Sequence, residues 1–199
     1  MSASLRRLLF CLITMAPAVA GSAPPAPTAT LRIDFTESTY PVQARNLREV
    51  KRALDVSLPY AAHGLTASSF ELQQILQPEP GSCRLASHQL SLQLQLLMPR
   101  WDVPNSTTPA DRQRWQHALD ALAAHELRHR QHAEDAAQDL DARLRQLGSQ
   151  THSGDCDKLQ RQIDRLRVRA LQRLRLRDAL FDEATRQQAD IAERERATR

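Results

Sequence analysis

No glycine or proline interrupts residues 110–147. A run that long, free of both helix breakers, predicts one continuous helix. Thr108, Pro109 and Asp111 mark its start, with proline at the first helical position where its missing N–H costs nothing. A helix of this length cannot bury its apolar side on itself and needs a partner of matching length. Gly148 to Asp155 breaks the chain. From Cys156 towards Arg196 a second long helical stretch follows, with Leu159, Ile163, Leu166, Ala170 and Leu174 on one stripe. Two long helices joined by a short break predict a hairpin.

The preceding residues read differently. Leu31, Ile33 and Phe35 alternate with polar residues, a short strand that Tyr40-Pro41-Val42 continues as extended chain. Asn46 with Glu49 three residues on is a capping signature, and Leu47, Val50 and Leu54 recur at helical spacing until Pro59. Residues 68–76 form a plausible strand through Phe70 and Leu72. From Cys83 to Met98 the alternation is clearest: Leu90, Leu92, Leu94 and Leu96 are interleaved with Ser91, Gln93 and Gln95. One apolar and one polar face predict an antiparallel sheet covered on one side, and Pro99 to Thr108 reads as a loop. The expected architecture is α+β: a small antiparallel sheet with one short helix, followed by two long helices packed as a hairpin. Only 5 Gly and 4% aromatics among 199 residues argue against a barrel or sandwich of many short strands.

The first twenty residues stand apart. Arg6-Arg7, the apolar run Leu8 to Ile13 and Ala18-Val19-Ala20 have the order of a cleaved export signal, Met1 to Ala20. Its removal would take the formal net charge from +4 to about +2. The apolar run is too short to span a bilayer comfortably, so no stable membrane anchor is expected. Residues 21–30 are a Pro/Ala-rich linker, leaving residues 31–199 as one domain. Cys11 leaves with the signal. The remaining pair, Cys83 and Cys156, is most simply a disulfide in a secreted or periplasmic protein.

Within the first long helix lies His125-Glu126-Leu127-Arg128-His129, an H-E-x-x-H sequence. Two histidines four residues apart project from one helical face, where both imidazoles can bind one Zn²⁺. Glu126 is then placed as general base, taking a proton from the attacking water and passing it to the leaving amine. Arg128 and Arg130 put positive charge beside the proposed cation. A catalytic zinc needs a third protein ligand. His132 lies about 10 Å along the axis from His125, too far to share one ion through the same face. Asp135 has the metzincin spacing, but His132 stands where that motif requires a turning glycine. The second helix offers Asp182, Glu183 or a neighbour, and the sequence does not choose between them.

Together with Tyr40-Pro41-Val42, Cys83-Arg84-Leu85, Leu97 to Trp101, Arg114-Trp115, Cys156-x-x-Leu159 and Phe181-Asp182-x-x-Thr185, this motif resembles a bacterial family of predicted secreted zinc-dependent proteases, domain of unknown function 922. The resemblance implies a zincin-like peptidase in which His125 and His129 are zinc ligands, Glu126 is the base, and Cys83 and Cys156 are the family's cysteine pair. Near its end the family typically reads Tyr-Asp-x-x-Thr-x-His-Gly, whereas this chain has Phe181 for the tyrosine and Gln187 for the histidine.

The expected function is an exported zinc-dependent metallopeptidase with a peptide or protein substrate. The alternative is a catalytically inactive periplasmic binding or structural module whose metal site has degenerated, which the arginines beside the motif and Gln187 favour. Nucleic acid is not an expected partner, because the arginines from Arg161 to Arg177 surround their helix and are interrupted by Asp164.

Overall fold

A computed structural model describes residues 28–57 and 64–197, with side chains described over 28–54 and 64–188. The proposed signal Met1–Ala20, Cys11, residues 21–27 and Pro59 lie outside the described residues. In chain order the elements are β1 (Thr28–Val42), α1 (Leu47–Ser57), β2 (Leu65–Glu79), β3 (Ser82–Trp101), α2 (Pro109–Gly148), β4 (Thr151–Ser153) and α3 (Cys156–Ala197). The architecture is α+β, a four-stranded sheet with three helices, two of them long. β1 starts at Thr28, inside the stretch read as linker.

The sheet is mixed, which corrects the antiparallel expectation. Its order is β1-β3-β2, with β1 parallel to β3, and β2 and β4 antiparallel to it. Connectivity is the reason. Pro80-Gly81 closes a tight β2–β3 hairpin, with Gly81 at φ 69°, a conformation that suits glycine. That hairpin occupies one edge of β3, so β1 takes the other. The chain leaves β1 at the Val42 end, passes through α1, and enters β2 at Leu65, opposite Leu97 near the same end of the sheet. β2 therefore runs against β1, and β3 runs with it. β3 also continues through Pro99 and Arg100 to Trp101, where the sequence predicted a loop, because β1 pairs with it as far as Val42↔Trp101.

One sheet face carries the main core. Leu90, Leu92 and Leu94 pack with Ala133, Ala137, Leu140 and Leu144 of α2 and with Leu159, Ile163, Ala170 and Leu174 of α3. The opposite face of β3 presents exposed Gln89, Gln93 and Gln95. A smaller core of Val42, Val50, Leu54, Trp101 and Trp115 joins α1 to the start of α2. Both helix starts are capped as the sequence indicates: Glu49 N–H donates to Asn46 Oδ1 at 3.0 Å, and Asp111 N–H to Thr108 Oγ1 at 3.1 Å. Cys83 and Cys156 form a disulfide across 73 residues, tying the start of α3 to the start of β3. Among the described residues no helix is long and apolar enough to cross a membrane.

Between β3 and α2 a polar pair is buried, His88 and Asp141. His88 Nε2–H donates to Asp141 Oδ1 at 2.8 Å, and Arg145 Nε–H donates to Asp141 Oδ2 at 2.7 Å while another of its N–H groups reaches the Ala29 carbonyl at 3.1 Å. Burial alone would raise the Asp141 pKa, but these bonds from Arg145 and His88 outweigh it, and the net value lies below the ordinary carboxylate range. A carboxyl whose pKa is lower folded than unfolded contributes stability above its unfolded pKa and loses it as pH falls through the folded one. Asp141→Asn should therefore cost about 1–3 kcal/mol near neutrality. It should also flatten the acid limb of stability against pH; urea titrations at several pH values would check both effects.

Candidate metal centre

α2 and α3 pack together and bring the motif opposite an acidic stretch of α3. His125 and His129 lie one turn apart on α2, so their rings project to the same side. Their Nε2 atoms are 3.1 Å apart. Asp182 comes across from α3, its Oδ1 at 3.1 Å from His125 Nε2 and 2.9 Å from His129 Nε2. Three ligand atoms of the kinds that bind zinc thus sit in a triangle with edges of 2.9–3.1 Å. Two bonds of 2.0–2.1 Å at a tetrahedral angle separate their donors by about 3.3 Å. Two neutral imidazoles and a carboxylate are an established donor set for zinc, and the residues fit the ion. His125 and Asp182 keep part of their surface open, at 28% and 45%, as a site that must admit another ligand requires.

Asp178, one turn earlier on α3, forms a second cluster with His129 and His132 that shares the His129 ring. Its Oδ1 accepts from His129 Nδ1 at 3.0 Å and from His132 Nδ1 at 2.8 Å. Phe181 lies among the three rings, stacked on His125 at 4.7 Å and edge-on to His129 at 5.3 Å. Burial would lower the His129 pKa, but the bond to Asp178 and the charges of Asp182, Asp178 and Glu126 outweigh it, and the net shift is upward. The complementary effect holds Asp178 low: the bonds from His129 and His132 overcome its burial.

Glu126 is held by the start of β2. It is 3% exposed and receives the Thr66 hydroxyl, which lies 2.8 Å from its Oε2 and 3.2 Å from its own carbonyl. Gly64 passes so close that a Cβ there would stand 2.9 Å from Glu126 Oε1. The beginning of β2 therefore packs against this carboxylate, which stays near enough to His129 to raise its pKa.

The residues nominated from the sequence separate accordingly. Asp182 joins His125 and His129. Glu183 does not: it is exposed and bonded to Arg186 and Gln187. Asp135 is paired with Arg177 at 2.9 Å. His132 belongs to the Asp178 cluster and not to the one that holds His125, as the axial spacing requires. Gln187, at the position of the family's histidine, bonds to Glu183 at 2.8 Å. Arg128 and Arg130 turn aside, the first to Gln131 at 3.0 Å and the second to Glu134 at 2.7 Å and over the Phe35 ring at 4.3 Å. Asp178 carries no sequence signal as a site residue on its own; its i−4 spacing from Asp182, on the same helical face, is the feature that could have found it, whereas Phe181 is marked only by the family pattern.

A family model described as "Bacterial protein of unknown function (DUF922)" matches residues 37–189. No curated protein and no solved structure matches the chain.

Proposed function

The chain belongs to the DUF922 family of bacterial proteins, and from its His125–His129–Asp182 triangle we propose that it is an exported zinc-dependent metallopeptidase with a zincin-like arrangement. The convergence of those three ligand atoms beside a buried H-E-x-x-H glutamate is the observation that carries the reading. When bound, Zn²⁺ supplies a Lewis acid that polarises the scissile carbonyl and brings the pKa of water towards neutrality. His125, His129 and Asp182 would hold it. Asp182 makes a histidine at position 187 unnecessary as the third ligand. Glu126, fixed by Thr66 and Gly64, accepts a proton from the attacking water and returns it to the leaving amine. Phe181 packs against the ligand rings, limits their rotation, and excludes water from one side of the site. The disulfide and the signal-like N-terminus support export.

A second reading is favoured by the 3% exposure of Glu126. The centre would then hold zinc structurally, locking α2 to α3, without turnover.

Metal content tests both. The purified chain, reconstituted with zinc and freed of excess, should carry about one ion, as a single three-ligand centre implies. His129→Ala should carry none. Absence of zinc from the unsubstituted chain would remove both readings, whereas zinc without hydrolysis of a broad peptide library would leave the structural one.

A further inference from the structure

We propose that Asp178, steadied by His132, is the positioning residue that fixes which nitrogen of His129 faces the metal. This deepens the metal-centre reading and rests on it. A carboxylate oxygen only accepts hydrogen bonds. Asp178 Oδ1 lies 3.0 Å from His129 Nδ1 and 2.8 Å from His132 Nδ1, so both rings carry a hydrogen on Nδ1. A neutral imidazole has one N–H and one lone pair. Asp182 Oδ1, 2.9 Å from Nε2, accepts from that nitrogen in the same way when no metal is bound. A bound zinc would replace the Nε2 hydrogen, and the hydrogen that Asp178 keeps on Nδ1 would leave the Nε2 lone pair directed to the point where His125 Nε2 and Asp182 Oδ1 converge.

The same bookkeeping decides between the two clusters. Neutral His129 cannot offer a lone pair from both ring nitrogens, so an ion bound between His132 and Asp178 would empty the His125–Asp182 site. His132, 5% exposed, instead donates its own Nδ1–H to the same Asp178 oxygen. Metal-bound histidines commonly give their other N–H to a carboxylate, and losing that partner weakens metal affinity about 10–100-fold. α3 thus supplies two carboxylates one turn apart, Asp182 as ligand and Asp178 as aligner.

The test uses Asp178→Ala, which removes the acceptor, and Asp178→Asn, which keeps an acceptor oxygen without the charge. Zinc affinity would be measured by competition with a chromophoric chelator, and the state of His129 by ¹⁵N NMR of its ring nitrogens. Expected are one zinc per chain, bound to His129 through Nε2, an affinity loss of about 10–100-fold in the alanine variant, and a smaller loss in the asparagine variant. In the metal-free protein, at a pH where the ¹⁵N shifts show the His129 ring to be neutral, the share of His129 with its hydrogen on Nδ1 should fall in the alanine variant and hold in the asparagine variant. Two zinc ions per chain, binding through Nδ1, or unchanged affinity and ring state in Asp178→Ala would overturn the proposal. Should the unsubstituted chain bind no zinc, the metal reading fails by itself, and the metal-free NMR comparison still decides whether Asp178 orients His129.

Discussion

Glu126→Gln should leave zinc content and folding intact while lowering peptide hydrolysis by about 10²–10⁴-fold, the usual contribution of a positioned general base. The substitution is nearly isosteric. The amide oxygen can still accept from the Thr66 hydroxyl, which now lies 2.8 Å from Oε2, and no heavy atom is added beside Gly64. What disappears is the ability to take a proton. His125, His129 and Asp182 are untouched, so the affinity for zinc should change little. The measurement is turnover of a peptide library alongside metal analysis and a thermal melt on the same preparation. Equal turnover in the two proteins would remove Glu126 from the chemistry. Lost zinc would instead mean that its negative charge, felt at His129, is needed to hold the ion. The two results separate a base from an electrostatic support.

The long-range plan of this fold was legible because its strongest signals are local. The breaker-free run after Pro109, the cap at Thr108 and the leucine alternation in β3 each dictate one element through nearest neighbours, and α2, α3 and β3 appear where those signals fall. The pairing of β1 was not legible, because its edge depends on which side of β3 the hairpin leaves open and its direction on the end of the sheet at which the chain re-enters through α1, and no residue in β1 encodes either. A subtler case lies within β3. Cys83 and Leu85 are buried at odd positions, whereas His88, Leu90, Leu92 and Leu94 are buried at even ones. Ala86 resolves the conflict: Leu76 pairs with Leu85 and Ile75 with Ser87, leaving Ala86 as the extra residue of a bulge. Without it, the period of two would turn Cys83 to the face away from the helices and out of reach of Cys156. At the site, H-E-x-x-H names two of the proposed ligands because their spacing is intrahelical. The third candidate depends on the register of α3 against α2, which the sequence leaves open among Asp182, Glu183 or a neighbour. Packing brings Asp182 to the two histidines, since Phe181 and Asp178 face α2 together with it while Glu183 turns to solvent.

The same register makes the disulfide the second large effect. Cys83 and Cys156 close a loop spanning 73 residues that contains most of β3, all of α2 and β4. In the chain-entropy account a loop of that length stabilises the fold by about 4 kcal/mol. Reduction, or the Cys83→Ala/Cys156→Ala pair, should therefore lower unfolding free energy by about 2–5 kcal/mol, read as a shift in the urea midpoint, with two thiols titrating only after reduction. Alanine is the informative replacement at Cys83, which is 0% exposed, because a serine would add a buried hydroxyl to the cost. The loss should not be uniform along the hairpin. Asp182 lies 26 residues beyond Cys156 on α3, about 39 Å along the axis, so the disulfide clamps one end of the helix pair and the metal cluster the other. Zinc affinity should then survive reduction with little change. Saturating zinc should in turn return stability to the reduced protein, about 4 kcal/mol at a thousand times its dissociation constant. A collapse of zinc affinity on reduction would show that the register of α3 at Asp182 depends on the distant clamp. A reduced protein whose urea midpoint ignores zinc would count against the metal centre itself.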